Sequence, residues 1–212
     1  MKKINLILIF AAAIAVLTSC GSKYEIDEIR AITKDLVERS AEMNVIYFGE
    51  GLPTIDEEGE GVDEFIDSFG HNVKTVNYLP VSEESPYQNE TELREATLEV
   101  FTEKYAEILF VRAFNGISHT IEYQNDSSLN ENVSVVYARY IEKDGVLTVR
   151  LDLEDEAMKL GRVYDYENLK IVRESGNNVT VEIPTEFEGR ELDIELTIVK
   201  TDGGWRLDTP TY

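Results

Sequence analysis

The chain has 212 residues, 20 of them Lys or Arg against 42 Asp or Glu, for a formal net charge of −22, and it has one cysteine. A surface this acidic repels phosphate backbones, which excludes nucleic acid as a partner. It also opposes lying flat on anionic head groups. A lone cysteine excludes an intramolecular disulfide and thiolate-cluster metal sites.

The first element is not part of a fold. Met1-Lys2-Lys3 precedes an apolar run over residues 4–16, and Leu17-Thr18-Ser19-Cys20 follows. A basic head, a short apolar core and small residues at a cut site mark a secretory signal peptide. The apolar-small-small-Cys ending resembles the bacterial lipobox, in which the cysteine is acylated and becomes the first mature residue. Cys20 is therefore the expected lipidation site, and thiol catalysis falls away with it. The chain divides into a signal peptide over 1–19, a lipidated tether over 20–23 and one domain over 24–212. Loss of Lys2 and Lys3 with the signal takes the net charge from −22 to −24. The run over 4–16 is shorter than the ~20 residues of a membrane span, so anchoring falls to lipid.

Ile26, Ile29, Ile32, Leu36 and Val37 recur at helical spacing and predict an amphipathic helix over 24–47. Gly49, Gly51 and Pro53 end it. An acidic loop is expected over 54–67, and Val73, Val76 and Tyr78 suggest a strand reaching Pro80. Residues 81–88 read as loop. Asn89 with Glu92 is a capping-box-like start. Leu93, Ala96, Val100, Phe101, Tyr105 and Ile108 then predict a second amphipathic helix running to Phe110, with Glu92, Glu95, Glu99 and Glu103 on its wet face. Residues 112–132 read as strand plus loop.

Residues 133–142 are rich in valine and tyrosine and precede Asp144-Gly145, a strong hairpin turn. Leu147, Val149, Leu151 and Leu153 alternate beyond it, and a helical turn is expected over 154–160. The rest reads as a meander. Leu169 and Ile171 lead into the turn residues Ser175-Gly176-Asn177-Asn178. Val179, Val181 and Ile183 alternate up to Pro184, and Leu192, Ile194, Leu196 and Ile198 alternate again. Asp202-Gly203-Gly204 turns the chain before Trp205 and Leu207. Alternation of this kind gives a sheet one buried and one wet face. The fold class is therefore α+β, N-terminal helices packed on a curved antiparallel sheet.

Helix, strand, helix and a meander ending in Gly203-Gly204-Trp205-Arg206-Leu207 resemble the cystatin-like and nuclear-transport-factor-2-like folds. A closer resemblance rests on segment order: Gly49-Glu50-Gly51-Leu52, Tyr78-Leu79-Pro80-Val81, Thr91-Glu92-Leu93 leading to Val100-Phe101-Thr102, Tyr140-Ile141-Glu142-Lys143-Asp144-Gly145, and Gly204-Trp205-Arg206-Leu207. This order is similar to the secreted inhibitors of bacterial DL-endopeptidases, the cell-separation hydrolases of Gram-positive bacteria. The resemblance implies a domain that binds and blocks a wall hydrolase rather than one that cuts.

The residues themselves offer few sites. Asp56, Glu58, Glu60, Val62, Glu64 and Asp67, with Gly61, fall on the ligand positions of a calcium loop. Glu replaces the usual shorter acid at two of them, and Asp67 replaces the bidentate Glu. The alternative is a solvated acidic loop. His71 and His119 form no His-Glu-x-x-His pattern, and Ser118-His119 adjacency is not a triad. Tyr78, Tyr137, Tyr140 and Tyr164 are candidates to line a cavity between helix and sheet, or to pack as strand residues. The expectation is a lipid-anchored, extracytoplasmic binding protein without cofactor or catalytic residues. Its partner is a cell-envelope protein, a basic peptidoglycan hydrolase. The alternative function is a small-ligand cavity module, and a third is a hydrolase or cyclase.

Overall fold

The computed structural model describes residues 23–55, 61–66, 72–122, 132–150 and 161–212, with backbone alone for 61–66, 72–77, 117–122 and 132–137. The predicted signal peptide and Cys20 lie outside the described residues. Helix α1 (Ile26–Phe48) buries Ile29, Leu36, Val37, Met43, Tyr47 and Phe48 on one face, as the spacing predicts. Ile26, counted on that face, stands at the helix start and is exposed.

The end of α1 is held from a distance. Its last turn carries no basic residue to meet the negative end of the helix dipole. The Arg139 guanidinium donates instead to the Gly49 carbonyl, and the Tyr140 hydroxyl donates to the Ile46 carbonyl at 2.7 Å. Gly51 fits beside them because it has φ +85°, and an added Cβ would stand 3.0 Å from the Arg139 guanidinium.

The acidic stretch expected as loop is corrected by strand β1 (Gly61–Ile66), antiparallel to β2 (Asn72–Asn77). Pairing overrides the poor strand propensity of Asp63 and Glu64. Strand β3 (Leu79–Pro80) follows. The second predicted helix is in fact two, α2 (Glu90–Val100) and α3 (Glu103–Phe110). Asn89 caps α2 by accepting from the Glu92 N–H at 2.9 Å. Between the helices Phe101 is extended, and the Thr102 N–H donates to the Leu207 carbonyl at 2.8 Å. The break thus takes the edge of the last strand, and Thr102 recaps α3 by accepting from the Tyr105 N–H. Restarting the helix turns Ile108, expected inward, out to solvent at 61 % exposure.

A π-helical turn (Val111–Asn115) leads into β4 (Ile117–Glu122), paired with β5 (Asn132–Tyr137). Strands β6 (Tyr140–Lys143) and β7 (Val146–Val149) form the predicted hairpin. Asp144 and Gly145 both take positive φ, as its two-residue turn requires. Leu151, Leu153 and the predicted turn over 154–160 lie outside the described residues.

The C-terminal sheet contains β8 (Val163–Tyr164), β9 (Lys170–Ser175), β10 (Asn178–Phe187), β11 (Arg190–Thr201) and β12 (Gly204–Leu207). Its order is β12-β11-β10, and β10 is flanked further by β9 at one end and β8 at the other. The sheet is antiparallel and strongly curled around the helices. Val179, Val181, Ile183, Leu196, Ile198 and Leu207 are within 1 % of complete burial and share one core with α1, α2 and α3. Pro184 does not end β10, as expected, but lies inside it. It falls between the segments paired with β9 and with β8, where its missing N–H interrupts no bond to either. The α+β class and the helix-on-curled-sheet arrangement match the expectation from sequence.

Candidate functional site

The described hydroxyls of the sequence-predicted cavity tyrosines Tyr78, Tyr140 and Tyr164 are taken up by hydrogen bonds within the fold. Tyr140 is 1 % exposed; its hydroxyl also accepts from the Leu52 N–H at 3.2 Å. Tyr78 donates to the Ala138 carbonyl at 2.7 Å, and Tyr164 donates to the Thr211 carbonyl. The Tyr137 side chain lies outside the described residues. Burial disfavours the phenolate, so Tyr47, Tyr105, Tyr140 and Tyr166 are all pushed above the ordinary tyrosine value. Tyr164 is pushed up to about 12, mainly by burial and partly offset by Arg162. The Tyr140 hydroxyl ties strand to helix, and Tyr164, its hydroxyl taken by Thr211, also lines an open cleft with Val163 and Thr185.

Of the acidic motif, Val62 and Glu64 lie on strand β1, while Asp56, Glu58, Glu60 and Asp67 lie outside the described residues. His119 lies on β4 opposite Val135, and His71 lies outside the described residues. Among the described residues, no three of His, Cys, Asp or Glu gather as a metal site would require. No described helix is long and apolar enough to cross a membrane.

The buried arginines were not anticipated. Arg139 is 4 % exposed and Arg150 is fully buried, and the Arg150 N–H donates to the Arg139 carbonyl at 2.9 Å. Arg139 sits in Val136-Tyr137-Ala138-Arg139-Tyr140, where one charge interrupts an otherwise strand-like run. That interruption is the only sequence signal for its role at the end of α1.

Two ends of the β9–β10–β11 sheet differ in ways that bear on binding. At one end the start of the described chain is pinned to the β9–β10 turn. The Lys23 N–H donates to the Glu174 carboxylate at 2.8 Å, and its ammonium donates to the Gly176 carbonyl at 2.9 Å. Tyr24 packs edge-on against Trp205 with ring centroids 5.1 Å apart, and Lys200 lies over both rings.

At the other end β8, β10 and β11 frame a cleft of about 270 Å³. Its walls include Asp165, Glu186, Glu191 and Asp193, interleaved with Val163 and Leu192. Val163 is 66 % exposed and Leu192 58 %. Below them Thr185 is buried, donates to the Leu192 carbonyl at 2.6 Å and accepts from Arg162 at 3.0 Å. The register places Glu186 directly opposite Glu191. Among the described residues no ion pair involves either of them. Alternation puts exposed Val163 on the same face as Glu186 and Glu191, and Leu192 with Thr185 and Arg162 on the other. Sequence patterning missed the cleft, because Val163 and Glu186 meet only through pairing of β8 with β10.

Compared with protein-family models and with curated proteins, the chain matches none.

Proposed function

We propose that this chain is a lipid-anchored, extracytoplasmic binding protein that restrains a basic peptidoglycan hydrolase of the DL-endopeptidase class. The observation that carries the reading is the exposed acidic end of the sheet, where Glu186 stands directly opposite Glu191 beside exposed Val163 and neither carboxylate has an ion-pair partner among the described residues. Its chemistry suits a basic protein surface, and electrostatic complementarity of that kind sets association rate and partner choice. The segment-order resemblance to endopeptidase inhibitors names the partner class. The lipobox ending in Cys20 supplies the anchor, which holds stably with two or more acyl chains.

Two experiments test the parts separately. Growth with labelled palmitate should mark the chain, and Cys20→Ser should abolish the label; an unchanged label refutes the anchor. The Cys20→Ser chain, added to a purified DL-endopeptidase digesting cell-wall peptidoglycan, should slow release of soluble fragments, with the effect fading as salt rises. An unchanged rate at a large molar excess refutes the inhibitory role.

A further inference from the structure

We propose that the gap between α1 and β8 is a peptide-binding groove filled by the chain's own residues 209–212, and that, once vacated, it takes a partner's extended segment in which serine or threonine precedes an aromatic residue. The inference goes beyond the hydrolase reading and does not depend on Glu186 or Glu191.

Polar side chains from two elements converge on Thr211, which is 5 % exposed. Ser40 on α1 gives its proton to the Val37 carbonyl at 2.8 Å, so the Thr211 hydroxyl donates to Ser40 Oγ at 2.7 Å. The same hydroxyl accepts from Asn44 Nδ2 at 2.9 Å. An oxygen that both donates and accepts is a hydroxyl, because a carboxylate cannot donate, an ammonium cannot accept and an aliphatic side chain does neither. From β8 the Tyr164 hydroxyl donates to the Thr211 carbonyl and so reads the backbone of that residue. One position on, the Tyr212 ring meets the buried Phe48 ring edge-on, with centroids 5.1 Å apart. The groove therefore specifies a hydroxyl residue followed by an aromatic one.

The present occupant is held without the backbone bonds that hold the sheet. The register of β12 on β11 ends at Leu207 opposite Ile198, and one further backbone bond follows, from the Asp208 N–H to the Thr197 carbonyl at 2.9 Å. Pro210 has no N–H with which to continue. Among the described residues no backbone–backbone bond holds 209–212. The segment can thus lift while the sheet stays closed, as locally held segments do. Lifting leaves the Asn44 amide and the Tyr164 hydroxyl without their partner. That cost is removed by a replacement of the same chemistry. Packing alone asks for none of this polarity, since the core around Ser40 and Asn44 is built of aliphatic and aromatic side chains.

The test uses the full chain with Cys20→Ser and a fluorescent peptide Asp-Thr-Pro-Thr-Tyr, the sequence of residues 208–212. A second peptide has valine in place of the threonine before tyrosine. The unaltered chain should bind both weakly, because its own segment competes at high effective concentration. A variant with Thr211→Val and Tyr212→Ala weakens that competitor. It should bind the threonine peptide at least tenfold more tightly than the unaltered chain does, and at least tenfold more tightly than it binds the valine peptide. A folded variant that binds neither peptide, or both equally, overturns the proposal. If circular dichroism shows the variant unfolded, NMR of the labelled unaltered chain decides. Millimolar threonine peptide should move the signals of residues 209–212 to unstructured positions while the valine peptide leaves them in place. Signals unmoved by either peptide, or moved equally by both, overturn it.

Discussion

The two ends of the β10–β11 hairpin are built from the same alternating sequence but finish differently. Near the β9–β10 turn each edge is occupied. Lys23 contacts Glu174 and Gly176, Tyr24 covers Trp205, and Ile198 is completely buried. At the β8 end the inward row runs out past the core, so Leu192 is half-exposed, and Glu186 faces Glu191 without a cation among the described residues. Apolar alternation therefore specifies which face turns inward, but not how far along the strands something lies beneath it. The occupied end is packed and hydrogen-bonded, whereas the open end leaves Leu192 and Val163 exposed and two carboxylates facing each other.

The widest break in this comparison comes from alkali. Tyr47, Tyr105, Tyr140 and Tyr166 keep their protons longer folded than unfolded, and Tyr164 does so up to about 12. The folded state then binds more protons than the unfolded one, so stability is whole below the ordinary tyrosine value of 10.0 and falls as pH rises towards about 12. Tyrosinate absorbance and circular dichroism followed together should change in one cooperative step; gradual ionisation with the fold intact would contradict it.

Truncation should separate the two ends next. Ile198→Ala should cost about 2–5 kcal/mol in denaturant unfolding, whereas Leu192→Ala should stay within about 0.5 kcal/mol. Comparable losses would mean that the cleft end is packed after all. Arg139→Met removes the donor to the Gly49 carbonyl and should cost about 1–3 kcal/mol. Thr102→Ala should cost about 1 kcal/mol through loss of the α3 cap, read from the same unfolding midpoints. Smallest and opposite in sign, Glu191→Lys should raise stability by about 0.2–1 kcal/mol by pairing with Glu186. A drop in stability would show that the pair is not strained.

The turns and the buried rows were legible because their causes are local. Asp144-Gly145 carries its own turn chemistry, and Val179, Val181 and Ile183 announce one face of a strand. The break at Phe101-Thr102 was not, because the partner that makes it favourable is the Leu207 carbonyl, far along the chain. Strand β1 was hidden by Asp63 and Glu64, which form strands only when a neighbour supplies the pairing. The candidate site was hidden for the same kind of reason. Glu186 and Glu191 stand out only once register puts them face to face, and Val163 joins them through a two-residue strand that no period announces. The proposed anchor, by contrast, is read entirely from contiguous sequence ending at Cys20.

Hydrogen exchange of the Cys20→Ser chain, with and without a basic DL-endopeptidase catalytic domain, tests the difference between the ends most directly. The account predicts slowed exchange at residues 163–165 and 184–193 in the complex, and none at the β9–β10 turn over 175–178. Protection at that turn with an unchanged cleft would contradict it.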